Sequence, residues 1–391
     1  MNRKVYIFGD LHFPRGGASA NYVGLLARAL SGQQYKVIII STSNDNASED
    51  DYKELEDLSI ELIEIKPSRI RLLRHIDLNY RLGKIIVKKL YKSDISPQDI
   101  LISYTTNPYT LKSVLRFARK RKLIISGCIT ERLSREMFSD DIRGAFEYKK
   151  YLTATEKILP KFDIVFPISR YLRNYYKKMG ANTFILPILA DIDGITDNYG
   201  NRYGKLKYVF PASGQMKDEF KNILEGFCKA QDAIGNNFEL HITGFTESKV
   251  IDFYPEVRKK IGSTVFCHGW MDYGDLKKLY DQMDYLIIAR KENQMTLANF
   301  PSKVPEVMCH GVIPVVSRVG DYTSLLLEDL KNSFVFDGYD TRACTEIIKK
   351  TAQYDRSQLQ LISKNAIETV INKLDPSIWG AKLSEVFDSL R

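Results

Sequence analysis

The chain has 391 residues, of which 44% are hydrophobic, and it carries a net charge of +9. This length predicts two domains with substantial cores. No run of about 20 apolar residues occurs and the N-terminus lacks a long apolar signal region, so we expect no membrane span and a cytoplasmic location. Five scattered cysteines, none in a C-x-x-C pair, argue against disulfides and zinc sites.

Apolar runs alternate with helical patterns along the chain, which predicts an α/β protein with parallel sheets. The strands expected in a first domain are Lys4–Phe8, Lys36–Ser41, Ile60–Ile65, Ile100–Ser103, Leu123–Ser126 and Ile164–Pro167. Those expected in a second domain are Leu206–Phe210, Phe238–Thr243, Val265–Cys267, Tyr285–Ile288, Val312–Val316 and Ser333–Phe336. We predict two Rossmann-like, doubly wound domains, residues 1–190 and 191–375, that face a central cleft, with ligands at the carboxyl ends of the strands.

The first predicted strand leads into a loop that contains two adjacent glycines, Gly16 and Gly17, before a predicted helix at Asn21–Leu30. Glycines here let the backbone approach a ligand closely, although any turn between a strand and a helix can use them. The loop lacks the G-x-G-x-x-G pattern, which argues against a nicotinamide dehydrogenase. His12, at the end of the strand, is a catalytic candidate whose alternative is a structural role.

Most of the positive charge lies between residues 66 and 92. Nine basic residues against one acid, Asp77, give this stretch a net charge of +8. An apolar stripe with helical spacing runs through the same stretch: Leu73, Ile76, Tyr80, Val87 and Leu90. We predict an amphipathic helix that buries this stripe and either exposes solvated lysines or contacts an anionic membrane surface. Nucleic acid is not expected, because no aromatic stacking motif accompanies the charge.

Two carboxylates one residue apart, Asp191 and Asp193, have the D-x-D spacing that can chelate magnesium or manganese through substrate phosphates. They lie at the predicted boundary between the domains. We expect no metal there and no cofactor.

The segment from Arg290 to Gly320 predicts an anion site. A polar loop follows an apolar strand, and Ser302 is a plausible N-cap for a helix that tolerates Pro305 in its first turn. Backbone N–H groups at the helix start attract phosphate, and Lys303 and Arg290 add positive charge. Glu306, one turn further on, can accept two hydrogen bonds from a vicinal diol such as ribose. The alternative is that Glu306 only closes a helix cap.

This segment is similar to the donor-site signature of glycosyltransferase family 4, the retaining nucleotide-sugar transferases of GT-B fold. The matching run is Glu306-Val-Met-Cys-His-Gly311-Val-Ile-Pro314-Val. The family's first Glu, which usually faces the transferred sugar, is replaced by Ala298. The resemblance therefore implies the ribose and phosphate contacts and does not extend to the sugar contact of the first Glu.

The resemblance also implies roles for other loops. Gly16 and Gly17 would face the donor diphosphate across the cleft, and Lys217, in the loop before a predicted helix at Glu219–Ala230, would contact the phosphates. The Arg that often occurs nearby is Gln215 here, and Arg290 is expected to replace its charge. The main chain around Gly269 would hold the base, with Trp270 either stacking on it or packing.

Catalytic groups are implied less directly. Relatives often carry a His after a middle strand of the first domain, where this chain has Thr130-Glu131-Arg132, and Glu131 is the second catalytic candidate beside His12. Residues 376–391 are predicted to form a helix, which in the family crosses back to the first domain.

The expected activity is a retaining transfer of a sugar from a nucleotide-diphosphate donor to a glycan acceptor. A UDP-sugar is favoured as donor and a GDP-sugar is possible. The acceptor is expected to be polyprenyl-linked, in surface polysaccharide synthesis at the inner face of the membrane, with residues 66–92 on the lipid. The alternatives are a GT-B sugar-nucleotide epimerase or hydrolase, and a non-catalytic basic membrane-binding module.

Overall fold

The computed structural model describes residues 3–15, 17–42, 47–196, 199–212 and 217–391. The chain divides into two compact units. Unit 1 comprises Met1–Leu189 together with Pro376–Arg391, and unit 2 comprises Ala190–Asp375.

Unit 1 is built on a parallel sheet of six strands in the described residues, in the order β3-β2-β1-β4-β5-β6. The strands are β1 Lys4–His12, β2 Lys36–Thr42, β3 Ile60–Ile65, β4 Ile100–Tyr104, β5 Ile124–Ile129 and β6 Ile164–Pro167. The helices are α1 Ala18–Ser31, α2 Glu49–Asp57, α3 Arg71–Ile76, α4 Leu82–Lys92, α5 Pro108–Arg121, α6 Ile142–Leu152 and α7 Arg170–Lys178. Short π-helical segments at Asp77–Arg81 and Thr153–Ile158 follow α3 and α6.

Unit 2 repeats this plan, with six parallel strands in the described residues in the order β12-β11-β10-β7-β8-β9. The strands are β7 Leu206–Pro211, β8 Phe238–Thr243, β9 Val265–Gly269, β10 Tyr285–Ile288, β11 Ile313–Ser317 and β12 Phe334–Phe336. The helices are α8 Phe220–Ile234, α9 Glu247–Phe253, α10 Tyr273–Tyr280, α11 Gln294–Ala298, α12 Lys303–Met308, α13 Tyr322–Leu325, α14 Thr341–Thr351 and α15 Arg356–Leu374. The last helix of the chain, α16 Pro376–Ser389, belongs to unit 1.

The prediction of two parallel α/β sheets is confirmed, and all twelve predicted strands form. The apolar runs are recognisable because a parallel sheet covered by helices on both faces buries its strands completely. The largest difference in length is at β1, which continues to His12 because that residue pairs with Thr42 of β2.

The strand orders place one topological switch point in each sheet, between β1 and β4 in unit 1 and between β7 and β10 in unit 2. On either side of a switch point the connecting helices leave in opposite directions, which opens a crevice at the carboxyl ends of the strands. The loops after β7 and β10 are therefore the first place to look for a ligand site in unit 2.

The predicted apolar stripe of residues 66–92 is only partly correct. The fully buried residues are Leu82, Gly83, Ile86 and Leu90, whereas Leu73 and Tyr80 of the predicted stripe are exposed. The π-helical segment adds residues to one turn and so shifts the register between α3 and α4. Gly83 is required for the close packing of α4 on α5, because a Cβ there would lie 2.6 Å from the Cα of Thr110.

The C-terminal helix α16 packs on α1. A Cβ at Gly380 would lie 2.1 Å from the carbonyl oxygen of Ala29, so only glycine permits this approach. Phe387 is fully buried, with its ring edge-on to that of Phe166 at 6.0 Å. In the described residues, no helix combines the length and apolarity that crossing a bilayer requires.

Candidate functional site

The switch point of unit 2 brings together three charged side chains from two loops and a helix. Asp218 follows β7 and Arg290 follows β10, and they form a salt bridge with 2.6 Å between Oδ1 and Nε. The other oxygen of Asp218 accepts a hydrogen bond from Nζ of Lys303, at the start of α12, over 3.3 Å. One carboxylate therefore holds two cations, and the cluster has a net positive charge.

This cluster is buried, and its pKa values reflect that. Arg290 is only 4% exposed. Burial alone would raise the pKa of Asp218, but the charges of Arg290 and Lys303 outweigh it and hold that pKa below its ordinary value. Burial lowers the pKa of Lys303, against the opposing effect of Asp218. Because charges interact strongly in a dry environment, an anion that reaches Lys303 would be bound more strongly there than at a surface lysine.

Glu306 lies one helical turn after Lys303. Its Oε1 is buried and has no hydrogen-bond partner in the described part of the chain. Burial raises the pKa of Glu306 to about 7, although Lys277 and Lys303 oppose the rise. Buried polar atoms almost always have a partner, so an orphaned carboxylate oxygen indicates a position where a ligand donor is accepted.

A salt bridge flanks Glu306. Lys277 of α10 donates from Nζ to Oδ2 of Asp191 over 2.9 Å, and the same Nζ lies 4.7 Å from the ring centroid of Tyr273. The negative charge of Asp191 contributes to the raised pKa of Glu306. Asp191 thus lies in the electrostatic surroundings of the candidate site, although the sequence had pointed to it for its D-x-D spacing.

The predicted N-cap of α12 is wrong in one respect. Ser302 stands at the N-cap position, but its backbone is helical and its side chain makes no capping hydrogen bond. The helix has only six residues, so the charges of Lys303 and Arg290 are a larger source of positive potential than its dipole. The role of Ser302 in donor binding stays a prediction.

The structure explains why the matching motif has a glycine at position 311. Gly311 has a φ of 64°, and a Cβ there would lie 2.6 Å from Oγ of Ser363. Its carbonyl oxygen accepts hydrogen bonds from Nη1 of Arg202 at 3.2 Å and from Ser363 at 2.6 Å. The turn between α12 and β11 is therefore fixed from two sides.

The remaining donor-side candidates of unit 2 lie on two further loops. Lys217 is half-buried just before Asp218. Gly269 ends β9 with a φ of 65°, a conformation that favours glycine. Trp270 follows it and is 85% exposed, so the structure excludes the alternative that its ring packs in the core. Ala298, at the position of the family's first Glu, is fully buried at the end of α11.

In unit 1, His12 is exposed at the end of β1, with Nδ1 3.3 Å from Oγ1 of Thr42. Gly17 caps α1 with a φ of 66°, so its conformation rather than crowding favours glycine. Gly16 and Gln215 lie outside the described residues.

Glu131 lies in the loop after β5, where it lines a small, partly open cavity. The cavity wall is aromatic and charged: the guanidinium of Arg132 lies 3.7 Å from the ring centroid of Tyr175, whose hydroxyl donates to Glu156. The two catalytic candidates lie at the same carboxyl edge of the sheet, His12 at the end of β1 and Glu131 after β5, and β4 lies between these two strands.

Within the described ranges, no group of three or more His, Cys, Asp or Glu side chains could hold a metal ion. Asp193 lies in a short 3-10 turn, Ile192–Gly194. The expectation that the reaction uses no metal stays a prediction.

Sequence reasoning did not assign several residues of this site. Asp218 was not singled out, and Lys277 carried no signal because a lysine in an amphipathic helix is normally solvated. Asn299, which accepts from Nη1 of Arg290 at 3.0 Å, was also missed. A carboxylate in the loop between β7 and α8, at the predicted carboxyl edge of the sheet, was the one signal that could have identified Asp218.

The sequence matches no protein-family model and no curated protein. The structure is similar to a glycosyltransferase from Rickettsia africae, with a TM-score of 0.71 and 14% identity over 100% of this chain and 99% of that one. It is also similar to Anabaena Alr3699/HepE in complex with UDP and glucose, with a TM-score of 0.71 and 15% identity over 99% and 100% of the two chains. For sucrose-phosphate synthase from Thermosynechococcus elongatus the TM-score is 0.73, with 14% identity over 100% and 99%. At these identities the likeness shows the fold, which is GT-B with two Rossmann-like domains, as predicted.

Proposed function

We propose that this protein is a glycosyltransferase that moves a sugar from a nucleoside-diphosphate donor to a glycan acceptor with retention of anomeric configuration, and that it resembles family 4. The observation that carries the proposal is the buried, unpartnered Oε1 of Glu306 beside Lys303. A ribose diol has the two donors that this carboxylate can accept, and the adjacent diphosphate has the negative charge that Lys303 can bind.

The electrostatics of the Asp218 cluster support a diphosphate as ligand. Asp218 neutralises one of its two cations, so the cluster offers one net positive charge, to which Lys217 adds. Arg290 is held by Asp218 and Asn299, so we assign it the role of adding charge behind the site. Lys303, with the longer bond to Asp218, is the residue that contacts phosphate.

The proposed reaction breaks the bond between the anomeric carbon and the diphosphate oxygen. The acceptor hydroxyl oxygen forms the new bond on the same face of the sugar, and its proton passes to a phosphate oxygen of the departing nucleoside diphosphate. Lys217, Lys303 and the charge of Arg290 stabilise that leaving group, and no metal is required. Glu131 and His12 are the candidates to position the acceptor hydroxyl.

UDP is the preferred nucleotide in this proposal, with GDP second, and Trp270 and the main chain at Gly269 hold the base. Solved structures of similar fold with UDP or UDP-glucose bound support this choice. The acceptor we propose is a polyprenyl-linked glycan of surface polysaccharide synthesis, reached at the inner face of the membrane through the basic residues 66–92.

Calorimetric titration of UDP and GDP tests the donor site. Wild type should bind UDP, and Glu306→Gln should weaken binding about tenfold, because the amide replaces one acceptor by a donor. Glu346→Gln, an exposed carboxylate paired with Lys349 on α14, is the matched control and should bind normally. Equal UDP affinity in Glu306→Gln and wild type would remove the basis of the proposal.

Transfer is then measured with radiolabelled UDP- and GDP-sugars, with and without a lipid extract as acceptor. Release of nucleotide only in the presence of acceptor supports a transferase. Release or conversion of the donor without acceptor indicates a hydrolase or epimerase. Binding to membranes without nucleotide affinity would favour the basic membrane-binding module.

A further inference from the structure

Two segments of unit 1 that are distant in sequence expose large apolar side chains. At the start of α3, Ile70 is 63% exposed and Leu72 is 69% exposed. At the start of α6, Ile142 is 90% exposed and Phe146 is 47% exposed. Single exposed apolar residues need no explanation, but several that share one surface mark an interaction site.

Side-chain contacts join α6 to the π-helical segment Asp77–Arg81 that follows α3. Nζ of Lys150 lies 5.5 Å from the ring centroid of Phe146 and 5.7 Å from that of Tyr80. The ring of Tyr80 lies 5.0 Å from that of Tyr109. Ile142 and Phe146 are one helical turn apart and so share a face of α6. We call this surface the apolar patch, and its members are Tyr80, Tyr109, Ile142 and Phe146; the exposed Ile70, Leu72 and Leu73 precede Tyr80 on the chain.

Basic side chains surround the α3 side of the apolar patch. The exposed ones are Arg69, Arg71, Arg74, Arg81, Lys84 and Lys88. Three of the acids nearby are engaged within unit 1: Asp77 accepts from the backbone of Ser68 and pairs with Arg81, Asp141 caps α6, and Glu147 pairs with Lys150. Asp140 is exposed beside Ile142, so the cationic margin lies on the side of residues 69–88. The apolar patch is held in place by the π-helical segment, α5 and α6.

We propose that the apolar patch docks on an anionic lipid bilayer. Its apolar side chains enter the headgroup region while the basic margin contacts lipid phosphates, as amphipathic surface helices do. A second copy of this chain is a poor occupant, because pairing the patch with itself would bring two stretches of net charge +8 together. The inference extends the basic contact of residues 66–92 to α6, and it rests on the proposed function for the idea that the acceptor is in a membrane.

The basic margin and the apolar side chains should respond differently to salt. Each Lys or Arg near an anionic surface contributes about a fivefold gain in affinity, and salt screens that gain. Insertion of apolar side chains is not screened. Docking by the whole patch therefore predicts binding that weakens with salt but persists at a salt concentration where a purely basic surface would detach.

Co-sedimentation with vesicles tests the proposal. The full chain is mixed with vesicles of phosphatidylcholine alone or with about 30% phosphatidylglycerol, at about 0.1 and about 0.5 M NaCl. The test variant is Ile142→Ser with Phe146→Ser. The matched control is Leu361→Ser, which removes a leucine that is 63% exposed on α15 of unit 2. Thermal unfolding and UDP titration of every variant report folding and the donor site separately.

Wild type and Leu361→Ser should bind the anionic vesicles and retain a fraction bound at high salt. The double variant should bind at least about tenfold more weakly at both salt concentrations, with UDP affinity unchanged. Equal binding by the double variant, or equal binding to neutral vesicles, would overturn the proposal. So would loss of vesicle binding together with self-association seen by sedimentation velocity. Vesicle docking without UDP affinity would leave this inference standing and overturn the proposed function.

Discussion

The donor-side candidates of unit 2 and the catalytic candidates of unit 1 differ in how their positions are fixed. In unit 2, a buried carboxylate, Asp218, holds Arg290 and Lys303, and Glu306 is half-buried with its Oε1 buried. In unit 1, His12 ends β1 and Glu131 lies in the loop after β5, both at the carboxyl edge of the sheet. His12 is exposed and touches Thr42, and Glu131 lines a cavity.

This difference is consistent with the two halves of the proposed transfer reaction. A leaving diphosphate needs fixed charges in a dry environment, where each interaction is strong and needs no reorganisation. An acceptor hydroxyl needs a group within hydrogen-bond reach and an open approach. Substitutions in the two units should therefore have different effects. Those in unit 2 should lower stability or donor binding, whereas those in unit 1 should lower turnover alone.

The largest effect is expected from Asp218→Asn. It leaves Arg290 and Lys303 buried without their counter-charge, which should lower the free energy of unfolding by about 3 to 5 kcal/mol. Urea unfolding measures this loss of stability. The control is Asp337→Asn, which breaks the exposed pair with Arg318 and should change stability little. A small loss for Asp218→Asn would show that the cluster is not a buried ion pair in solution.

Lys303→Ala should fold normally, because Asp218 keeps its stronger partner Arg290. It should lower kcat/KM for the nucleotide-sugar by about 100-fold, the loss typical of one donor removed from transition-state charge. Steady-state kinetics with a matched donor provide the measurement, and Lys331→Ala, an exposed lysine paired with Glu328, is the control. Unchanged turnover would remove Lys303 from the phosphate site.

Glu306→Gln should change the pH dependence of stability. The folded protein holds the proton of Glu306 up to a pKa of about 7, above the ordinary value of 4.5. Its contribution to stability is therefore full below about pH 4.5 and is lost as the pH rises through 7. The variant has no such titration. Its free energy of unfolding, relative to that of wild type, should therefore rise by on the order of 2 kcal/mol between pH 5 and pH 8.

Denaturant titrations of both proteins at several pH values test this prediction. A difference in the free energy of unfolding that stays constant from pH 5 to pH 8 would contradict the raised pKa of Glu306. The titration of Glu306 should also affect donor binding. In the proposed site, ribose hydroxyls donate to the ionised carboxylate, so the UDP affinity of wild type should rise through pH 7 more steeply than that of Glu306→Gln.

The smallest effect, and the one that separates the two units most cleanly, is expected from Glu131→Gln. It should lower kcat for transfer about tenfold or more while the Kd for UDP stays constant, because the residue acts on the acceptor. Glu136→Gln, on the 3-10 turn after the same loop, is the control. A parallel loss of UDP affinity would place Glu131 on the donor side.

Much of the fold follows from local patterns. Apolar runs bounded by polar loops identified every strand of both sheets, since strands buried on both faces leave an unmistakable composition. The helix register of residues 66–92 was harder. The burial of Ile86 and the exposure of Leu73 depend on a π-helical turn that no periodicity of 3.6 residues could reveal.

For the candidate site, the sequence by itself determined that Lys303, Glu306 and the turn at Gly311 lie together, because they are on one short helix and its exit, where spacing alone fixes their relation. Only the tertiary structure decided that Asp218 joins Arg290 to Lys303, that Lys277 and Asp191 flank Glu306, and that α6 lies beside the π-helical segment Asp77–Arg81. Each of these relations joins residues more than 25 positions apart. The charge of a side chain does not indicate which distant residue the fold will place beside it.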